Sequence, residues 1–159
     1  MKRSVQIALI FVLGIALVYA IFSNQTNDKA SAEDVALQNV AGEVQTIKKG
    51  NVILNFWATY CPPCEREMPA LNAAYHDLSD SVQLYAVNVE EPTRIVNQYI
   101  KNKAVDFPVL LDRTGELKDA YQITMLPTTL FIKNGDVVHT VKGEITEAEI
   151  KALTIQYLD

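Results

Sequence analysis

Apolar residues along the chain occur in two patterns, short continuous runs and longer stretches with helical spacing. Residues 52–57 and 82–89 form nearly continuous apolar runs, which are typical of strands buried on both faces of a sheet. Between these runs, Leu71, Tyr75 and Leu78 recur at the spacing of one helix face. The pattern therefore predicts buried strands that are connected by helices.

Turn and cap signals place the remaining elements. Asn134-Gly135-Asp136 lies between two apolar runs and is a strong hairpin signal, while Thr146 with Glu149 forms a capping-box pattern. We predict strands at 52–57, 82–89, 128–132 and 137–141, and helices at 61–77, 93–103, 116–121 and 146–158. Residues 35–40 and 44–47 form either a short hairpin or a strand with a bend, and 107–111 form either a short strand or an extended segment. Helix-linked strands followed by a terminal hairpin predict an α/β fold, with a mixed central sheet flanked by helices.

The N-terminal part of the chain has a different composition. Residues 5–22 are apolar apart from Gln6 and, as a helix, would span about 27 Å, close to the thickness of a bilayer core. The length favours a transmembrane anchor at 1–22 over a cleaved signal peptide. Lys2 and Arg3 precede the run, which predicts a cytoplasmic N-terminus, a single membrane pass and an extracytoplasmic domain.

The rest of the chain suits one compact domain. Residues 23–32 are polar and predict a linker, which leaves 33–159 as the folded domain. The formal net charge of the 159-residue chain is −5, which argues against a nucleic-acid surface. We expect a monomer that contacts membrane lipid only through its anchor.

The chemistry is indicated by the only two cysteines, in the segment Cys61-Pro62-Pro63-Cys64. This segment follows a predicted strand and opens a predicted helix, a layout suited to thiol–disulfide exchange. The unpaired amides of a helix N-terminus would lower the pKa of Cys61, so we assign Cys61 as the attacking thiol and Cys64 as the resolving thiol. Pro62 and Pro63 lack amide hydrogens and suit the first helical turn.

Two other interpretations of the cysteines are less favoured. A structural disulfide that closes about four residues would stabilise the fold by roughly 2 kcal/mol at most. A zinc site needs further ligands, but the chain has no other cysteine, and His76 and His139 are isolated. We therefore expect neither a metal nor any cofactor beyond the redox-active Cys61–Cys64 disulfide.

Other residues are candidates for the same site. In the predicted fold, Pro127 is expected to be a cis proline opposite the cysteines, where it leaves backbone groups free for an extended substrate. Glu67 is either a surface acid or a partly buried group that exchanges protons with the sulfurs. Trp57 and Tyr60 are expected to serve partly in packing and partly as the rim of a substrate groove. The candidate substrate-binding residues are Trp57, Tyr60, Pro62, Pro63, Leu126, Pro127 and Thr128.

Several of these motifs together resemble the thioredoxin superfamily. The closer resemblance is to the membrane-anchored TlpA/ResA-like thiol–disulfide oxidoreductases of bacteria, including the StoA type. It implies a thioredoxin fold over about 33–159, with an N-terminal β extension and a central αβ insert around 87–89 and 107–112. The motifs that carry it are Asn55-Phe56-Trp57-Ala58-Thr59-Tyr60-Cys61-Pro62-Pro63-Cys64, Pro69 and Leu126-Pro127-Thr128.

The resemblance also implies a function. Such proteins are exported reductases that keep substrate cysteines reduced, with apocytochrome c as a frequent substrate, spore-envelope assembly as another role, and a membrane thiol carrier as electron donor. Glu67 matches the position of an active-site glutamate in that group. The chain departs from ordinary thioredoxins at Asn55, where they commonly have a buried acid, and at Tyr60, where a tryptophan is frequent. The first departure makes Glu67 the better candidate for proton transfer.

Three alternatives to an exported disulfide reductase stay open at this point. The first is a DsbA-like oxidant that forms disulfides. The second is a non-enzymatic module that binds and delivers copper with both thiols. The third is a thioredoxin-like peroxidase, although the chain lacks a Pro-x-x-x-Thr-x-x-Cys pattern at the cysteines.

Overall fold

A computed structural model of the chain describes Gly14 and residues 35–48 and 50–158. The predicted order of strands and helices is confirmed, with boundaries that shift by one or two residues at most elements. The strands are β1 (Ala36–Asn39), β2 (Val44–Thr46), β3 (Asn51–Trp57), β4 (Val82–Val89), β5 (Val109–Asp112), β6 (Thr128–Lys133) and β7 (Asp136–Lys142). The helices are α1 (Pro62–Asp77), α2 (Thr93–Lys103), α3 (Glu116–Ala120) and α4 (Glu147–Tyr157).

The seven strands form one mixed sheet in the order β2-β1-β5-β4-β3-β6-β7. Strand β3 lies inside this sheet, parallel to β4 and antiparallel to β6. Strands β4 and β5 are also parallel, so the carboxyl ends of β3, β4 and β5 lie at the same edge of the sheet. Polar residues that follow these strands are therefore brought close together at that edge.

Helices cover both faces of the sheet. On one face, Leu71 of α1, Val96 of α2 and Ile150 of α4 belong to one fully buried apolar cluster. On the other face, Leu117 of the short helix α3 packs in a second cluster with residues such as Phe56. Burial on both sides accounts for the continuous apolar runs of β3 and β4 in the sequence.

The N-terminal β extension and the central insert meet in the sheet. Strand β1 pairs with β2 and, on its other side, with β5, where Gln38 lies opposite Leu111. Helix α2 and strand β5 form the central αβ insert, so the two predicted additions to the thioredoxin core support each other. The thioredoxin-like α/β fold is therefore confirmed.

The predicted anchor and linker fall almost entirely outside the described residues, of which only Gly14 lies before Val35. Within the part of the chain that the structure describes, none of the helices is both long enough and apolar enough to span a bilayer. The division into 1–22, 23–32 and 33–159 stays a prediction.

Candidate active site at the start of helix α1

The two cysteines stand at the first turn of α1 and form a disulfide. Cys61 is the N-cap residue, and Pro62 and Pro63 occupy the first two helical positions, where a missing N–H leaves no hydrogen bond unmade. The Cys61 side chain is 7% exposed, whereas Cys64 is fully buried. A substrate can therefore reach Cys61 first, which is the order that the predicted roles require.

The helix start places hydrogen-bond donors beside the Cys61 sulfur. The backbone N–H of Cys64 donates to Cys61 Sγ over 3.3 Å, and this amide belongs to the group that has no partner within the helix. These amides and the helix dipole favour a negative sulfur at this position. When the disulfide is reduced, the same arrangement supports the thiolate that exchange needs.

Beside Cys61 lies an open groove of about 440 Å³. The peptide bond between Leu126 and Pro127 is cis, as predicted, and Leu126 lines this groove together with Cys61. The volume is within the range of sites that hold small ligands or a few residues of an extended peptide. The groove is lined by Tyr60, Cys61, Pro62, Pro63, Val89, Glu90, Lys118, Ile123, Thr124, Met125 and Leu126.

Three residues predicted to contact substrate, Trp57, Pro127 and Thr128, do not line the groove. Trp57 is fully buried and packs against Tyr99, with ring centroids 5.1 Å apart, so the prediction that it forms part of the rim is wrong. Thr128 is also buried, and its hydroxyl donates to the carbonyl of Met125. Tyr60, by contrast, is 69% exposed. Of the two aromatic residues predicted at the rim of the groove, only Tyr60 therefore lies there.

The cis proline supports the groove from behind. Pro127 is buried, and its carbonyl accepts a hydrogen bond from the backbone N–H of Gly143. The exposed part of this wall is formed by Met125, which is 47% exposed, and the partly buried Leu126. Pro127 therefore supports this wall of the groove, while Met125 and Leu126 present apolar surface to a substrate.

Glu67 is buried one helical turn beyond Cys64. Its side chain is 2% exposed, its Oε1 accepts from Asn55 Nδ2 over 2.8 Å, and its Oε2 accepts from the Ile145 N–H over 3.1 Å. Burial raises the pKa of Glu67 to about 7, although the hydrogen bonds from Asn55 and Ile145 act in the opposite direction. Of the two interpretations of Glu67, the buried one is therefore correct.

Glu67 lies on the same side of helix α1 as Cys64. Residues three apart on a helix are neighbours on its surface, and Cys64 and Glu67 both face the core. A carboxyl group with a pKa of about 7 can take or give a proton near neutral pH. Glu67 is thus suited to exchange a proton with the buried resolving thiol.

Sequence reasoning missed residues at the carboxyl end of β4. Glu90 and Lys118 form an ion pair of 3.2 Å and both line the groove. Glu91 is buried and accepts hydrogen bonds from Thr59, two residues before Cys61. Because β3 and β4 are parallel neighbours, an acidic pair that follows β4 could have been placed beside the cysteine loop from the sequence.

The described residues also bear on metal binding. Within 35–48 and 50–158, no group of three or more histidine, cysteine, aspartate or glutamate side chains could hold a metal ion. The disulfide between Cys61 and Cys64 is the redox group that the chain itself supplies. The arrangement can therefore exchange two electrons through sulfur alone.

A thioredoxin-like fold with a redox-active cysteine pair at a helix start defines a thiol–disulfide oxidoreductase. Residues 26–141 match the model of the AhpC/TSA family. The thiol-disulfide oxidoreductase ResA of Bacillus subtilis is 35% identical over 156 residues, which cover 94% of this chain and 87% of the relative. The chain therefore belongs to the AhpC/TSA family and, within it, to the ResA/StoA-like thiol–disulfide oxidoreductases.

Two further comparisons concern the StoA type. The sporulation thiol-disulfide oxidoreductase A of Bacillus subtilis is 34% identical over 127 residues, which cover 77% of this chain and 72% of the relative. The crystal structure of StoA from Bacillus subtilis has a TM-score of 0.70 and 33% sequence identity, and covers 76% of this chain and 95% of that one. Sequence and structure thus agree on the fold and on the class of reaction.

Proposed function

We propose that this protein is an extracytoplasmic reductase, held at the cell membrane, that reduces disulfides in exported proteins. One observation carries the proposal: Cys61 lies beside an open groove, Cys64 is buried behind it, and Glu67 lies one turn deeper with a pKa of about 7. The three groups are in the order in which a dithiol reductase uses them.

The reaction follows from this order. The Cys61 thiolate attacks one sulfur of a substrate disulfide, which breaks the substrate S–S bond, forms a mixed disulfide and releases the first substrate sulfur as a thiolate that takes a proton from solvent. Cys64 then gives its proton to Glu67, in the role we assign to it, and attacks Cys61 Sγ. The second substrate sulfur leaves as a thiolate and is protonated in turn, and the protein ends in the Cys61–Cys64 disulfide form that the structure shows. Two electrons from a dithiol donor at the membrane restore the reduced pair.

A buried acid supports the reductive direction. Glu67 lies buried one turn from Cys64, and its negative charge opposes the formation of a thiolate there. A strong oxidant of this fold class has a stabilised reduced form, whereas an acid behind the resolving thiol favours the disulfide. In the groove, the ammonium group of Lys118 is paired with Glu90. The reduced pair is therefore expected to give up its electrons readily.

The substrate class is supported by the relatives and by the groove. One relative is named for sporulation, and the resemblance to the TlpA/ResA-like group favours apocytochrome c or spore-envelope proteins as substrates. The groove that Cys61 lines also presents the exposed side chains of Tyr60 and Met125. This surface suits an extended protein segment with apolar residues next to its cysteine, and the electrons are proposed to come from a membrane thiol carrier.

The location can be tested with the two native cysteines. Intact cells that produce the protein are treated with a mild reductant and then with a membrane-impermeant maleimide. Because the chain has only two cysteines, any label reports the position of the redox pair. We expect labelling in intact cells at the level seen after lysis. Labelling only after lysis would contradict an extracytoplasmic domain.

The substrates can be captured with Cys64→Ser. This variant retains Cys61 but cannot resolve the mixed disulfide, so substrates stay covalently attached. We expect exported proteins with paired cysteines among the species released by reductant. Cys61→Ser is the matched control and should capture none of them. Capture of cytoplasmic proteins alone would overturn the proposed substrate class.

A further inference from the structure

Glu91 is a buried acid that the exchange reaction does not use. It follows β4 and accepts hydrogen bonds at both carboxylate oxygens. Oε2 accepts from the Thr59 backbone N–H and from Asn88 Nδ2, each over 2.7 Å, and Oε1 accepts from the Thr59 hydroxyl. A buried carboxylate is costly unless such donors compensate it, so the three bonds fix its position.

Thr59 lies within the turn that presents the attacking sulfur. The turn leads from the end of β3 to the N-cap of α1 and is closed by a hydrogen bond from the Cys61 N–H to the Ala58 carbonyl over 3.3 Å. The Glu91 carboxylate accepts hydrogen bonds from the second residue of this turn, Thr59, through both its backbone N–H and its hydroxyl. The turn is therefore stabilised by its internal Cys61–Ala58 hydrogen bond and by the contact with Glu91, which follows β4.

Glu91 lies outside the groove, beside buried residues of β3 and β4. Asn88, its second partner, is buried and lies opposite Trp57 in the pairing of β3 with β4. Trp57 in turn packs against Tyr99 of α2. Glu90 lines the groove, whereas Glu91 is not among the lining residues. Glu91 therefore acts on the cysteine turn and not on the substrate.

We propose that Glu91 is a positioning residue for disulfide exchange, which holds the Ala58–Cys61 turn through Thr59 so that Cys61 Sγ faces the groove. Exchange requires the attacking sulfur to approach a disulfide in line, and a small displacement of a reacting group lowers the rate strongly. The carboxylate is needed here for its reach and its acceptor geometry. The inference rests on the exchange chemistry at Cys61, and neither the compartment nor the direction of the reaction enters it.

Two substitutions separate the effect of the length of the Glu91 side chain from the effect of its charge. Glu91→Gln keeps the length of the side chain: its oxygen can accept from the Thr59 N–H and from Asn88, and its amide can donate to the Thr59 hydroxyl. Glu91→Asp keeps the charge but withdraws the carboxylate by one methylene. A positioning role predicts that the glutamine variant works and the aspartate variant fails, whereas a role for the charge predicts the reverse.

The test uses the purified full-length protein in mild detergent, reduced and then mixed with insulin. The rate of mixed-disulfide formation is measured in a Cys64→Ser background, beside the rate of Cys61 alkylation by iodoacetamide. We expect Glu91→Asp to slow exchange with insulin by about tenfold or more, and Glu91→Gln to stay within about threefold of the parent. Iodoacetamide is small and can orient freely at the exposed side of the sulfur, so its alkylation rate mainly reports thiolate formation and should change by less than about threefold in both variants.

Controls distinguish positioning from a general loss of structure. Glu116→Gln removes one exposed negative charge outside the groove and should leave both rates unchanged. Thr59→Val removes the hydroxyl bond but keeps the backbone bond to Glu91, and should slow exchange less than Glu91→Asp does; it also serves as the test if the aspartate variant does not fold. Equal exchange rates in all folded variants would overturn the proposal. So would equal losses in exchange and alkylation, because these would indicate a change in thiol ionisation.

Discussion

Asn55 on β3 donates from Nδ2 to Glu67 Oε1 on α1 over 2.8 Å, and both side chains are buried. The same Asn55 nitrogen also donates to the Thr129 hydroxyl over 3.0 Å, which fixes the amide between two strands and the helix. The pair places a neutral amide and an acid side by side behind the cysteines. The titrating group of this buried site is consequently on the helix, one turn from Cys64.

Glu67 should make the stability of the protein depend on pH. Burial raises its pKa in the folded protein to about 7, above the ordinary value of 4.5, so the folded form holds the proton more tightly between these values. The stabilising contribution is complete below about pH 4.5 and is lost as the pH rises through about 7, by about 3 kcal/mol in all. Urea unfolding between pH 4.5 and 8 measures it.

Glu67→Gln provides the reference for that measurement. The neutral amide does not titrate, so the difference between the two proteins isolates Glu67 from the other acids. We expect the variant to lose the fall in stability between pH 4.5 and 7. Parallel profiles for both proteins would show that the Glu67 carboxyl titrates as an ordinary surface acid.

The exposed residue Glu144 should affect the pKa of the Glu67 carboxyl group. The negative charge of Glu144 raises the pKa of Glu67, and Glu144 is itself paired with the exposed Arg66 guanidinium. Glu144→Gln is therefore expected to lower the pKa of Glu67 below that of the parent protein. A titration of the Glu67 carboxyl carbon by NMR measures this, with Glu116→Gln as the control. An unchanged or higher pKa would contradict the electrostatic link.

The two cysteine variants should differ in what they form. Cys61→Ser and Cys64→Ser should both lose catalytic reduction of insulin, because turnover needs both thiols. Only Cys64→Ser, which keeps the more exposed thiol, should accumulate a mixed disulfide with the substrate. Electrophoresis without reductant distinguishes the two. Equal mixed-disulfide yields in both variants would contradict the assignment of Cys61 as the attacking thiol.

Trp57 and Tyr60 should show different defects when truncated. Trp57 is fully buried, so Trp57→Ala is expected to lower the free energy of unfolding by about 3–5 kcal/mol. Tyr60 is exposed at the groove, so Tyr60→Ala should leave stability nearly unchanged and raise the KM for a protein disulfide. Urea unfolding and insulin-reduction kinetics measure the two effects. A folding defect in Tyr60→Ala would contradict this division of roles.

Two elements with strong periodicity were predicted to the residue. The strand at 82–89 and the helix at 93–103 agree with the observed bounds, and the Thr146–Glu149 capping box is present. Burial on both sides of a strand and one apolar stripe on a helix leave a direct trace in the sequence. The short strand or extended segment predicted at 107–111 is a strand that begins two residues later, at Val109, after the buried Phe107 and Pro108.

The site was only partly predictable. The cysteine pair and the cis Pro127 follow from motifs, but the state of Glu67 depends on Ile145, which lies 78 residues further along the chain. The contact between Thr59 and Glu91 joins residues 32 positions apart, but it could have been placed from the parallel pairing of β3 with β4. The local sequence pattern also did not show that Trp57, the last residue of β3, buries its side chain in the core.

The central claim is that the cysteine pair works as a reductant. The reduction potential, measured by equilibration of the full-length protein with glutathione or dithiothreitol at pH 7, tests it most directly. The buried acid Glu67, one turn beyond Cys64, predicts a value near or below that of thioredoxin, about −270 mV. A value near about −120 mV, typical of a strong oxidant of this fold class, would contradict the account.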